Sequence, residues 1–189
     1  AMKKLPALIG ASNMLVCGED LGMVPGCVGP VMQQLGILSL EIQTMPKTYG
    51  VAFAQLHQNP YRSVATIFTH DMPTLRLWWK ENPERTQLYY NTVLEHDGKA
   101  PNELPGWLCE EIVAHHLNSP SMLCLISLQD WLSIDDDLRN PSAEEERINV
   151  PANPRHYWRY RMHLSVADLK NSKLLNECIG TLISHSGRS

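Results

Sequence analysis

The stretch Met14–Leu21, MLVCGEDL, places two carboxylates directly after a short apolar run. The apolar part has the length of a buried strand, and the acidic pair Glu19-Asp20 follows at its end. A second apolar run, 64–68, leads into Thr69 and then His70-Asp71 in the same way. Polar side chains at the carboxyl ends of parallel strands lie where ligands bind in α/β sheets and barrels. The two stretches therefore predict a ligand site at the rim of a parallel sheet.

Strand and helix patterns alternate along the chain. Short apolar runs predict strands at 14–17, 37–42, 64–68 and 122–127. Apolar residues at helical spacing predict helices at 5–12, 27–35, 73–79, 83–94, 107–117 and 165–184. Gly36 is expected to end the second of these helices, and Leu128-Gln129-Asp130 forms another polar strand end. Strands separated by helices favour parallel α/β architecture, and four strands are too few for a complete barrel. We therefore expect half of a larger barrel.

Composition and charge exclude several classes of protein. A net charge of −4 and a pI near 6.1 give no electrostatic footprint for nucleic acid. No apolar run approaches the roughly 20 residues of a membrane-spanning helix, and the N-terminus lacks the apolar segment of a signal peptide. The five cysteines are scattered without a Cys-x-x-Cys pair. This spacing favours structural thiols, with Cys17 and Cys124 as small hydrophobes in strands. We therefore expect no cofactor or metal. We also expect a cytoplasmic location.

Four blocks of the sequence carry a family resemblance. They are MLVCGEDLG (14–22), ILSLEIQTMPK (37–47), THDMPTLRLWW (69–79) and EERINVPANPRHYWRYR (145–161). In this order they resemble the C-terminal part of the amylomaltases, the disproportionating 4-α-glucanotransferases of glycoside hydrolase family 77. The resemblance implies that residues 1–189 are the second half of a (β/α)8 TIM barrel, about strands 5–8 plus C-terminal helices, without a complete second domain.

The resemblance also implies a reaction and roles for four residues. Enzymes of this family cleave an α-1,4-glucosidic bond and transfer the glucan to another maltooligosaccharide with retention of configuration. Such chemistry uses two carboxyl groups about 5 Å apart, one as nucleophile and one as acid/base. Glu19 matches the acid/base, and Asp71 matches the carboxylate that binds sugar hydroxyls and favours the distorted transition state. His70 resembles a histidine that hydrogen-bonds the same sugar, and Asn149 resembles a sugar-contacting residue after the last strand.

The nucleophilic aspartate of the family has no counterpart in this chain. In the family it lies in an Arg-x-Asp motif upstream of the acid/base, whereas the 18 residues before Glu19 contain neither Asp nor Glu. We therefore expect the chain to be inactive alone and to need the missing N-terminal half of the barrel as a partner. Half a barrel also leaves strand edges and an apolar face uncovered, so the isolated chain is expected to form a homodimer or to rearrange its terminal elements.

The residues alone leave other interpretations open. Glu19 could be a solvated loop residue beside a turn-capping Asp20, and His70-Asp71 could cap the helix that begins near Pro73. His70-Asp71 could also act with a metal in a small α/β hydrolase or phosphatase, although this needs more ligands than the sequence offers. A third alternative is a non-catalytic glucan-binding or interaction module. Trp78-Trp79 are expected to pack in the core rather than to contact sugar, because adjacent helical positions point to different faces.

Overall fold

The computed structural model describes residues 1–188 and divides them into two compact units. Unit 1 consists of Ala1–Thr66 and Ser119–Leu125, and unit 2 consists of Ile67–Asn118 and the chain from Ile126 onward. Unit 1 contains strands β1 (Ser39–Ile42), β2 (Ser63–Thr66) and β3 (Leu123–Cys124), and helices α1 (Leu5–Ile9) and α2 (Val28–Leu35). Unit 2 contains helices α3 (Leu75–Glu81), α4 (Pro83–Thr92), α5 (Gly106–Leu117), α6 (Leu128–Leu132), α7 (Val166–Asn171) and α8 (Lys173–His185). Short 3-10 turns lie at Leu56–Gln58 and Ala143–Glu146.

The three strands of unit 1 form a small parallel sheet in the order β1-β2-β3. Ser39 pairs with Ser63, and Val64 pairs with Leu123. Every residue of the central strand β2 is buried, as is usual for parallel strands whose two faces are both covered. The predicted α/β architecture with parallel strands is confirmed.

The first expected strand, 14–17, is not formed as a strand. Its pairing with the sheet consists of one parallel bridge between Cys17 and Leu38, with the Gly18 N–H donating to the Leu38 carbonyl at 2.8 Å. The ladder stops there because the next available donor on β1, the Leu40 N–H, bonds the side-chain Oδ1 of Asp20 at 2.8 Å. A side chain thus takes the position that a backbone carbonyl would need to extend the strand. The prediction that Cys17 is a buried small hydrophobe is also wrong, since this thiol is exposed.

The end of α2 agrees with the sequence. Gly36 directly follows the helix and has φ +67°, a left-handed conformation that glycine adopts without steric penalty. The Gly36 N–H donates to the carbonyl of Gln33, which satisfies an oxygen that the helix leaves unpaired. The predicted helix and its glycine stop are confirmed.

Aromatic side chains build the core of unit 2. Trp78 and Trp79 are both buried, and Trp78 meets Tyr89 edge to face with ring centroids 5.4 Å apart. Leu108 and Ile112 of α5 are fully buried in the same unit. The expectation that the tryptophan pair packs in the core is confirmed. Burial of these rings removes a large apolar surface from water. Across residues 1–188, no helix combines the length and the apolar character needed to cross a bilayer.

The helix expected over 165–184 is divided into α7 and α8. Ser165 and Asp168 form a reciprocal capping box that begins α7. The break falls at Ser172, whose ψ of 76° is not helical and whose hydroxyl donates to the Asp168 carbonyl at 2.7 Å. Serine competes for backbone groups in this way and so favours helix ends over helix interiors.

Candidate functional site

Glu19 lies on an exposed loop whose backbone is held closely on both sides. The preceding Gly18 bonds Leu38 through its N–H, and a Cβ at Gly18 would approach Met32 Cε to 2.9 Å and Ile37 Cγ2 to 3.3 Å. A side chain at position 18 would therefore require the Met32 and Ile37 side chains to shift. Glycine lets the backbone pass tightly here while the Glu19 carboxyl remains accessible.

Asp20 has a different environment from its neighbour. Its Oδ1 accepts the Leu40 N–H at 2.8 Å, and its Oδ2 lies 2.7 Å from Lys47 Nζ. The same ammonium contacts Glu41 Oε1 at 2.8 Å, and that oxygen also accepts the Ser39 hydroxyl at 2.6 Å. The side chain of Asp20 thus fixes the loop to β1, so the acidic pair separates into one anchored carboxylate and one exposed carboxyl group.

In unit 2, His70, Asp71 and Asn149 lie together. Asn149 Nδ2 donates to Asp71 Oδ1 at 2.6 Å, and His70 Nε2 lies 3.4 Å from the same oxygen. The His70 and Asp71 side chains are both about half exposed, at 51% and 45%. Asp71 therefore contacts both of the other expected site residues, although 78 positions separate it from Asn149. Glu19 belongs to unit 1, and its surroundings are those of the Gly18–Asp20 loop described above.

The segment that carries His70-Asp71 does not cap the following helix. The N-cap of α3 is Thr74, which makes no side-chain capping bond, and the Leu75 N–H instead donates to Asp130 Oδ1 at 2.9 Å. Neither His70 nor Asp71 caps α3, so the interpretation of this pair as a helix cap is wrong. Asp130 is 1% exposed, and burial raises its pKa to about 6 despite the bond from Leu75.

A buried ion pair holds α3 from the other side. Arg76 Nη1 contacts Glu146 Oε1 at 2.5 Å and donates to the Asn140 carbonyl at 2.6 Å. The second oxygen of Glu146 accepts the Thr74 hydroxyl at 2.9 Å. Burial raises the pKa of Glu146, while the Arg76 charge and the Thr74 bond oppose this shift. The start of α3 is thus bound to the 3-10 turn Ala143–Glu146.

A cavity of about 150 Å3 lies beside this segment in unit 2. Its lining includes His70, Thr74, Asp130 and Glu146. Within residues 1–188, the second carboxylate oxygen of Asp130 is buried without a hydrogen-bond partner. Within the same residues, no group of three or more His, Cys, Asp or Glu side chains is placed to hold a metal ion.

Sequence reasoning missed three side chains of this region. Asp130 was visible only as a polar strand end, and Glu146 only as one of three consecutive glutamates. Trp158 was hidden in the aromatic part of the fourth quoted block, yet its Nε1–H donates to Asn149 Oδ1 at 3.0 Å. No pattern in the sequence distinguished Trp158 from the other aromatic residues of that block.

Comparison with known proteins identifies relatives along the whole chain. Residues 2–166 match the family described as 4-alpha-glucanotransferase. The chain is 42% identical over 189 residues to 4-alpha-glucanotransferase DPE2 of Oryza sativa subsp. japonica, covering all of this chain and 20% of that protein. It is 27% identical over 188 residues to 4-alpha-glucanotransferase of Chlamydia trachomatis, covering 94% of this chain and 34% of the relative. The chain therefore spans a fifth to a third of these curated relatives.

Solved structures give the same result for the fold. Amylomaltase from Streptococcus agalactiae, determined in complex with acarbose, aligns with a TM-score of 0.66 and 17% identity over 94% of this chain and 33% of its own. Amylomaltase from Corynebacterium glutamicum aligns with a TM-score of 0.65 and 16% identity over 89% of this chain and 28% of its own. Because the family match covers most of the sequence, the chain belongs to the 4-alpha-glucanotransferase family, glycoside hydrolase family 77.

Proposed function

We propose that this chain is part of a 4-α-glucanotransferase that moves α-1,4-glucan segments between maltooligosaccharides by a retaining double displacement. The observation that carries the proposal is the contact between Asp71 Oδ1 and Asn149 Nδ2 at 2.6 Å. It brings residues of two of the quoted blocks together at one half-exposed position, where their polar atoms are accessible to a sugar. The acarbose complex of the Streptococcus agalactiae amylomaltase supports a maltooligosaccharide as the ligand.

In the proposed reaction Glu19 donates a proton in the first step and accepts one in the second. In the first step its carboxyl group gives a proton to the glycosidic oxygen as the bond from that oxygen to the anomeric carbon breaks, and the aspartate of the missing half bonds the anomeric carbon while the reducing-end sugar leaves. In the second step the Glu19 carboxylate takes the proton of the acceptor hydroxyl, whose oxygen displaces that aspartate. The exposure of Glu19 and the fixed backbone around Gly18 support this role.

Asp71 and its neighbours bind the sugar in this scheme. Among residues 1–188, Asp71 Oδ2 makes no hydrogen bond, so it is available to a pair of sugar hydroxyls. Asn149 holds the other carboxylate oxygen and so fixes the plane of the group. His70 offers a further ring nitrogen at the same half-exposed position. Hydrogen bonds that strengthen as the sugar ring distorts contribute to stabilising the transition state.

We also propose that residues 1–189 form strands 5–8 of a (β/α)8 barrel completed by a missing N-terminal half. The parallel order of the Cys17 bridge, β1, β2 and β3 along the chain supports this arrangement. Met14 and Leu15 are 75% and 55% exposed, which supports a further segment covering that edge. Without that half, the same surface could pair two copies of the chain as a homodimer. Scattered cysteines support our placement of the protein in the cytoplasm.

A hybrid enzyme tests the function. In it, this chain replaces the segment of the rice relative with which it aligns. We expect the hybrid to convert maltotriose into glucose and longer maltooligosaccharides, and the same hybrid with Asp71→Asn to lose most of that activity. A folded hybrid that binds maltooligosaccharides without transferring glucosyl units would instead establish the non-catalytic module as the function of this chain.

A further inference from the structure

Trp158 presents a large aromatic surface beside the contact of Asp71 with Asn149. Its side chain is 61% exposed, whereas Trp78 and Trp79 are buried. Leaving an indole in water forgoes about 25 cal/mol for each Å2 of apolar surface that could be buried. An exposed tryptophan that is nevertheless held in place is therefore a candidate for contact with a ligand.

One edge of the Trp158 ring is tied to the amide of Asn149. The indole Nε1–H donates to Asn149 Oδ1 at 3.0 Å, and the Val150 N–H donates to the same oxygen at 2.9 Å. These two donors define which side of the amide is oxygen, so Nδ2 is turned toward Asp71. Trp158 thus orients Asn149, and Asn149 orients the Asp71 carboxylate.

The Trp158 ring is also flanked by an imidazole. The ring centroids of His70 and Trp158 are 5.3 Å apart with an interplanar angle of 54°. The indole therefore has one neighbour at its edge and another inclined against it, which limits its motion. Most of the residue remains exposed to solvent, at 61%.

In the described part of the chain, the other exposed aromatic residues of unit 2 have partners at their rings but no link to Asp71. Tyr157 is 68% exposed, but the Arg159 guanidinium lies over its ring at 5.0 Å from the centroid. Trp107 on α5 is 54% exposed, and its ring partner is His96. Among the exposed aromatic side chains of unit 2, Trp158 is the one joined to Asp71 through a hydrogen-bonded residue.

We propose that Trp158 is the stacking residue of a glucosyl subsite and that it positions Asn149 for Asp71. This rests on the proposed function. The C–H groups of a glucose ring form an apolar face that packs on the exposed indole, while its hydroxyls reach the polar groups of Asp71 and His70. Trp158 then contributes twice, through the apolar contact with the sugar and through the orientation of the amide.

Binding of maltopentaose to the 189-residue chain tests the stacking contact. The indole N–H signal of Trp158 is identified in the 15N spectrum by its loss in Trp158→Phe. We expect maltopentaose to shift this signal in the wild type, Trp158→Ala to bind about tenfold more weakly, and Trp158→Phe to bind within about threefold of wild type. The matched control Trp107→Ala is expected to bind like wild type. An unshifted Trp158 signal, or unchanged binding by Trp158→Ala, would overturn the subsite.

Kinetics of the hybrid enzyme test the positioning. Trp158→Phe keeps an apolar ring but removes the N–H donor to Asn149. It should lower kcat for maltotriose about tenfold with little change in KM, whereas Trp158→Ala should also raise KM. A Trp158→Phe hybrid with wild-type kcat would overturn the positioning role. Failure of the unsubstituted hybrid to transfer would refute the proposed function, while the binding data would still decide whether the subsite exists.

Discussion

Replacing Glu19 with glutamine in the hybrid enzyme is expected to lower kcat for maltotriose about a thousandfold. The amide is nearly the same size as the carboxyl group, but it can neither give a proton to the leaving oxygen nor take one from the acceptor. Because Glu19 lies on an exposed loop, the substitution should leave the folded structure intact. Initial rates of glucose release from maltotriose provide the measurement.

The same variant offers an internal control through the choice of donor. Maltosyl fluoride has a leaving group that departs without protonation, so its first displacement should be nearly spared in Glu19→Gln. The exposed Glu177 of α8 gives a matched substitution, Glu177→Gln, that should not change activity. The first displacement is read in single turnover, as fluoride released from maltosyl fluoride and glucose released from maltotriose, because the second displacement needs Glu19 with either donor. An equal loss of the first displacement with both donors would assign Glu19 a structural role, and full activity would remove it from the mechanism.

Arg76→Met is expected to destabilise the chain by about 3–5 kcal/mol. Arg76 and Glu146 are 6% and 2% exposed, so removing the guanidinium leaves a buried carboxylate without its counter-charge. The Asn140 carbonyl loses its donor as well. Urea unfolding at pH 7 measures the change in the free energy of unfolding.

Two comparisons separate the buried ion pair from ordinary packing. The double variant with Arg76→Met and Glu146→Leu should lose less stability than Arg76→Met alone, since no unpaired charge remains. Lys80→Met, which removes exposed contacts to Glu144 and Glu103, should cost less than about 1 kcal/mol. A loss for Arg76→Met no larger than that for Lys80→Met would contradict the assigned role of the pair.

The effect of Arg76→Met also has a definite pH dependence. Burial already raises the pKa of Glu146, and loss of the arginine should raise it further. A carboxyl group with a raised folded-state pKa binds its proton more tightly in the folded than in the unfolded state. Lowering the pH therefore stabilises the folded variant through this group, and the difference from wild type should shrink toward acid.

The sequence predicted those parts of the fold that depend on local pattern. The helix before Gly36 and the burial of Trp78 and Trp79 follow from periodicity and from glycine stereochemistry. The first strand failed because its continuation depends on Asp20, which takes the Leu40 N–H 20 residues away. No local pattern records that competition between a side chain and the backbone ladder.

In the candidate site, too, the sequence indicated residues but not the contacts between them. Polar residues at strand ends marked His70 and Asp71, and the family resemblance added Asn149. The side chain that holds Asp71 comes from a distant position, since 78 residues separate Asp71 from Asn149. Trp158 was overlooked because an aromatic-rich segment is more often packed than exposed, and only the structure gives its exposure and its bond to Asn149.

The central proposal is that Glu19 serves as the acid/base and Asp71 as the sugar-binding carboxylate of a glucanotransferase whose nucleophile lies outside these 189 residues. Labelled maltotriose given to the purified 189-residue chain tests it most directly. The account predicts no transfer of label by the chain alone, and transfer once an N-terminal half containing the Arg-x-Asp motif is added. Transfer by the chain alone would contradict the account.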